Sequence, residues 1–189
     1  MAAGQAPWTA KPIPMQEVEN TRQEVAGFDS DRIRLHGRRF LREQPEMARF
    51  LTSLTRDAAG PAVELTFYLG CIAWTMFRRA YGGRLPRISL DLLVENFERL
   101  RGDMERFVGS DSRFLESYLR GSEFMRQAHV VRFIVDSLLE EREDWSNLGC
   151  VARGICLVVL LSTVEAMDQA VIAVDAGLSA PGSPAPPPA

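Results

Sequence analysis

Lysine is almost missing from this chain. Lys11 is the only one, and every other basic residue among the 22 is arginine. A phosphate-binding GxxxxGK loop therefore has no lysine to complete it. Histidine is nearly as scarce, with only His36 and His129, so a histidine-based triad has almost nothing to stand on. HExxH and the Glu-x-x-His of di-iron bundles are absent as well. The three cysteines, Cys71, Cys150 and Cys156, are odd in number and show no CxxC spacing. They read as small core residues in a reducing compartment rather than a disulfide frame. No GxGxxG follows a strand, and no run alternates β-branched and polar residues between turn signals, so a sheet is not expected. Gly177-Leu178-Ser179 opens like a nucleophile elbow but has neither the fifth-position glycine nor the flanking strand and helix. Uninterrupted apolar runs are short too. Glu64, Arg78 and Arg79 cut one, and Arg153 and Glu165 bracket Ile155–Leu161, below the ~20 residues a bilayer needs. The opening MAAGQAPWTAKPIP lacks the continuous apolar region of a secretion signal. A cytoplasmic location is expected, and a membrane is not expected as a partner.

What is present is an ordinary globular composition, 46% hydrophobic and 25% charged, enough to bury one core at this length. The net charge of −3 disfavours nucleic acid as a bulk partner. The chain is organised around residues 61–81, PAVELTFYLGCIAWTMFRRAY. Pro61 suits the first turn of a helix, and Gly82-Gly83 followed by Pro86 stops it. At about 100° per residue, Phe67, Gly70, Trp74, Phe77 and Tyr81 share one face, and Leu65, Leu69, Ile72, Met76 and Ala80 the opposite one. Two opposed apolar stripes mean neighbours on both sides. Glu64, Tyr68, Cys71, Thr75 and Arg78 form a narrower strip between them.

Residues 1–14 read as an extended or disordered arm, residues 15–176 as one helical domain, and the uncharged, proline-rich 177–189 as a disordered or polyproline tail with PxxP spacing. Within the domain, Met15, Val18, Thr21 and Val25 share a side of a first helix. Asp29 or Ser30 caps a second, in which Ile33, His36, Phe40 and Leu41 face inward. Pro45 starts a third helix, with Met47, Phe50, Leu51 and Leu54 inward. Ser89 precedes the clearest amphipathic pattern, Leu93, Phe97, Leu100, Met104 and Phe107. A short helix follows over 112–120, then a helix over 123–143 with His129 near its start. The last helix, 147–174, turns Ser162, Glu165, Asp168, Gln169 and Asp175 outward. Arg49-Phe50-Leu51 with Ser53 matches Arg113-Phe114-Leu115 with Ser117, and Phe67 then aligns with Phe133. This leaves open an internal duplication of a three-helix unit spanning 49–81 and 113–143. The expected fold is all-α, a single-domain orthogonal or up-down bundle of six to seven helices.

Two clusters carry the candidate chemistry. Arg32, Arg34, Arg38, Arg39 and Arg42 crowd the second helix, and Arg34, Arg38 and Arg42 at steps of four form a ridge that suits an anion or an acidic partner. Asp29, Asp31 and Glu43 flank that ridge, and base-stacking aromatics are missing from it. The second cluster is acidic. Glu140-Glu141-Arg142-Glu143-Asp144 precedes Glu165-Ala166-Met167-Asp168, an E-E-x-x-[ED] … E-x-x-D pattern. It resembles the metal-binding motif of the all-α nucleotide pyrophosphohydrolases related to MazG. The resemblance covers the last third of the chain. It implies Mg²⁺ held by Glu140, Glu141, Asp144, Glu165 and Asp168, bridging a nucleoside triphosphate that a metal-activated water attacks. The sequence departs from that family in placing the first motif at a helix end and in lacking basic residues after E-x-x-D.

The leading expectation is a non-enzymatic helical protein with no cofactor, acting through an unknown protein partner or self-association. The Mg²⁺-dependent pyrophosphohydrolase is the alternative, and anion or nucleic-acid binding through the Arg32–Arg42 helix the second alternative.

Overall fold

The computed structural model describes residues 10–56, 60–82, 85–106, 126–140 and 148–177. Among these residues there are seven helices and no strand: α1 Met15–Ala26, α2 Ser30–Glu43, α3 Pro45–Leu54, α4 Gly60–Ala80, α5 Leu90–Arg106, α6 Ala128–Leu139 and α7 Cys150–Asp175. The all-α bundle is as expected. Trp8, the helix expected over 112–120, the side chains of Met104 and Phe107, and the tail from 178 lie outside the described residues. So does most of the second half of the suspected duplication.

Helix α4 is the enclosed one. It packs against α1, α3 and α7, and more lightly against α2 and α6. Every residue from Cys71 to Phe77 is buried, which two opposed apolar stripes require. Trp74, Phe77, Met76, Leu65 and Leu69 fill its two sides. On the α3 side the approach is close, because Gly70 has no side chain. A Cβ there would stand 2.5 Å from Leu51 Cδ1 and 3.3 Å from Cδ2, and Leu51 is fully buried. Gly70→Ala should cost about 1–3 kcal/mol in overpacking, against the ~1 kcal/mol that alanine returns in helix propensity. Urea denaturation is expected to find this variant less stable than the wild type, and Gly70→Val less stable still.

Helix α7 is apolar nearly all round because α3, α4, α5 and α6 surround it. Ile155–Leu161 is too short for a bilayer, yet the whole of α7 is long and apolar enough to cross one, with a mean hydropathy of 1.8 over its best window. In this fold 61% of that window is buried inside the body. The expectation that Ser162 and Asp168 face outward is corrected, since both are buried. Ser162 achieves this at little cost by donating its hydroxyl to Val158 O at 2.6 Å, and Thr163 does the same to Val159 O at 2.8 Å. The α5–α7 seam is tied by a reciprocal amide pair between Asn96 and Gln169 and by an ion pair between Arg99 and Glu165.

Helix α2 is held by one edge. Asp29 caps it, accepting from Arg32 N–H at 2.8 Å, but Phe40 is its only buried residue. Ile33 and Leu41, expected inward, are about half exposed, and Leu35 is more exposed still. The helix meets α3 and α4 along a narrow line, so residues flanking that line stay in solvent. Leu54 on α3 is likewise exposed rather than inward, and Met15 is exposed on α1. The elbow between α2 and α3 carries Gln44, which is buried. Its Nε2 donates to Pro86 O at 2.8 Å and its Oε1 accepts from Ile88 N–H at 3.0 Å. That pair of bonds fixes the segment leading into α5.

Candidate functional site

The groove along α2 is lined by Phe28, Arg32, Leu35, His36, Arg38, Arg39 and Arg42 and has a volume of about 510 Å³. Four arginines recurring on one helix supply most of its wall. The helix presents them because its apolar edge, Phe40 with His36, is committed to Trp74 on α4. The carboxylates of the same helix answer only part of this charge. Asp31 pairs with Arg34 at 3.5 Å and Glu43 with Arg39 at 2.8 Å. Glu43 also takes Arg78 of α4 at 3.3 Å, and reaches Arg42 only at 3.9 Å. Burial alone would raise the Glu43 carboxyl, but these arginines hold it below the usual range. Arg32 lies over the Phe28 ring, 5.4 Å from its centroid. Neither it nor Arg38 has an acidic partner among the described residues. Of the expected ridge, Arg38 and Arg42 line the groove, while Arg34 does not.

His36 forms the floor. Thr75 donates its hydroxyl to Cys71 O at 2.8 Å, so the 2.8 Å contact between His36 Nε2 and Thr75 Oγ1 requires Nε2 to carry the hydrogen. The ring sits edge-on to Phe28 and 5.8 Å from Trp74. Burial, then the positive charges of Arg39 and Arg78, push its pKa below the usual imidazole value of 6.5, with Glu24 opposing and Arg79 assisting. The folded protein therefore holds this proton less tightly than the unfolded chain. Stability from this group is complete above pH 6.5 and is lost as pH falls toward the lower folded value. Wild type should lose more thermal stability on acidification through that window than His36→Gln, which keeps an N–H for Thr75. Parallel melts across the pH range would check it. The other histidine, His129, is exposed on α6.

Of the acidic cluster, Glu140, Glu165 and Asp168 fall among the described residues. Glu165 pairs with Arg99. Its pKa is raised by burial, pulled back by Arg99 and pushed up again by Asp168. Asp168 is clamped by Arg126, from Nε at 2.9 Å and from Nη2 at 2.6 Å, and its Oδ1 also accepts from Gln127 Nε2 at 2.5 Å. Both carboxylates are thus neutralised by arginines. Glu140 is exposed just past α6; Glu141 and Asp144 lie outside the described residues. Among the described residues, no three His, Cys, Asp or Glu side chains come close enough together to hold a metal ion.

Asp168 instead belongs to a buried polar knot that periodicity did not reveal. Gln127 Nε2 also donates to Tyr81 Oη at 2.8 Å, and Tyr81 donates to Lys11 O at 2.7 Å. Gln127 Oε1 accepts from Ile13 N–H at 2.9 Å. Burial pushes the Tyr81 phenol up, with Gln127 opposing and Asp168 assisting. The bond to Asp168 raises Arg126. Residues 10–14 are therefore docked on the body, with Ile13 buried. The one sequence sign was Pro12 and Pro14 around a lone isoleucine. Two of the three thiols are buried, and burial pushes Cys71 up to about 12, an unreactive state. Cys150, expected in the core, is exposed at the first turn of α7.

Compared with protein-family models, with curated proteins and with solved structures, the chain matches none.

Proposed function

We propose that this is a non-enzymatic helical binding protein whose partner surface is the groove along α2, and that the partner is an acidic protein segment with an apolar anchor. The observation that carries the reading is the groove's lining, four arginines together with Leu35 and Phe28. Two of those arginines, Arg32 and Arg38, lack an acidic partner among the described residues, and arginine forks suit carboxylates held at close quarters. Leu35 and Phe28 offer an apolar contact between the charges. A membrane surface fits less well, since the exposed Ile33, Leu35 and Leu41 stand on three different sides of α2 rather than on one apolar face. Single-stranded nucleic acid would want a row of stacking rings, and the groove has Phe28 alone beside His36. The unpaired thiols support a reducing location such as the cytoplasm. For the magnesium reading, the described carboxylates offer no supporting cluster.

The test is fluorescence anisotropy with a labelled peptide alternating glutamate and leucine. Binding should weaken steeply as salt rises, by about tenfold or more between low and physiological ionic strength. Arg38→Glu with Arg42→Glu should abolish it, and Arg34→Glu, outside the groove, should weaken it far less. Equal binding by all three proteins, or none at low salt, would remove the proposal.

A further inference from the structure

Residues 10–14 are held in the manner of a bound peptide. Ala10 N–H donates to Asp175 Oδ2 at 3.0 Å, and Ala10 O accepts from Arg126 Nη1. Lys11 O accepts from Tyr81, and Ile13 N–H donates to Gln127. All four bonds join the backbone of this strap to side chains of residues 70 or more positions away. Pro12 and Pro14 have no N–H to satisfy, and they hold the strap extended before it docks. Ile13, at 1% exposure, is its apolar anchor.

The receiving side is also bonded within itself. Gln127 is oriented by Tyr81 and Asp168, and Asp168 by both nitrogens of the Arg126 fork. The Gln127 carbonyl would thus stay aimed at the strap's position were the strap withdrawn. Toward the body the strap continues through Pro14, whose extended conformation caps α1. Rotation at that junction would free residues 10–13 without requiring the helices to break. Because each bond is made to a side chain on the body, an identical strap from another molecule makes the same bonds.

We propose that the cleft formed by Tyr81, Arg126, Gln127, Asp168 and Asp175 is a site for an extended Ala-Lys-Pro-Ile-Pro segment, filled here by the chain's own strap and open in trans to the strap of a second copy. The class of ligand is an extended backbone with an aliphatic residue between two prolines. Its recognition does not involve the α2 groove.

Three measurements on the full chain test this. In hydrogen exchange, the Ile13 amide should exchange at least about tenfold faster than the Leu69 and Trp74 amides of α4, as a sub-global opening requires. Equal rates would mean that the strap leaves only when the whole body unfolds, which overturns the proposal. A labelled, acetylated Ala10–Met15 peptide should bind Ile13→Ala at least about tenfold more tightly than wild type, whose own strap competes at high effective concentration. Adding Gln127→Leu should remove that binding, and binding indifferent to either change also overturns it. For the second copy, Lys11 is the only lysine, so carbodiimide coupling to acidic side chains reads the strap's position. In a mixture of ¹⁵N-labelled and unlabelled chains, crosslinks from Lys11 of one copy to Asp175 of the other should grow with protein concentration. Crosslinks within single copies at every concentration would overturn the exchange.

Discussion

Asp168→Ala is expected to destabilise the fold by about 3 kcal/mol, because removing one member of a buried ion pair leaves the other uncompensated. In a chain of this size that corresponds to a fall in Tm of about 10 °C. Asp168 is 8% exposed and accepts three hydrogen bonds, two from Arg126 and one from Gln127. Its loss strands the buried Gln127 amide where water reaches poorly and leaves the Arg126 guanidinium, 31% exposed, without its carboxylate. The damage should spread to the strap, since Gln127 and Arg126 hold Ile13 and Ala10. Asp175→Ala is the control. It removes one half-buried acceptor of Ala10 N–H and should cost only about 1 kcal/mol. Replacing both partners, Asp168→Leu with Arg126→Met, should be milder than Asp168→Ala alone, because no charge is then left behind. Thermal melts of the four proteins at one pH would decide. Equal losses for Asp168→Ala and Asp175→Ala would show that the knot adds nothing beyond one hydrogen bond.

Trp74→Ala should cost about 3–5 kcal/mol, the range for truncating a large buried aromatic side chain. Trp74 is 1% exposed. The Phe40 ring lies 5.3 Å from it, His36 is 5.8 Å away, and the Arg78 guanidinium stands 5.6 Å from its centroid on another side. Two of those three neighbours belong to α2, whose other ties to α4 are the Phe40–Phe67 ring contact, the His36–Thr75 bond and the Glu43–Arg78 ion pair. The variant should therefore lose the α2 groove before it loses the bundle. Hydrogen exchange should rise on α2 more than on α7, and binding of the acidic peptide should fall along with stability. Trp74→Phe keeps a ring in the pocket and should cost much less, about 1–2 kcal/mol. If α2 and α7 amides in Trp74→Ala accelerated equally, α2 would be an integral part of the core and the groove would lose its separate status.

The arginine groove and the polar knot were unequally legible. Arginines at steps of four on one helix are a one-dimensional pattern, and Arg38 and Arg42 indeed share the groove. That Arg34 turns to Asp31 while Arg39 faces the groove depends on which edge of α2 meets α4. Ile33 and Leu41 were misplaced for the same reason. A helix gripped along a narrow line buries fewer of its apolar residues than its pattern suggests. Helix α7 erred in the other direction. Its short polar residues suggested an outward face, but Ser162 satisfies its hydroxyl within its own helix, and Asp168 finds Arg126, 42 positions earlier.

Taken alone, the amino-acid order determined the class of the fold. Proline and glycine punctuation, apolar spacing near 3.6 and two opposed stripes over 61–81 are local properties of the chain, and local backbone preferences act on them directly. They dictated helices, their approximate bounds and the enclosure of α4. Only the tertiary structure decided which polar groups are buried and which charges are left for a partner. The fate of a carboxylate or an amide is set by a partner distant in sequence, and burial without that partner would cost more than the contact returns.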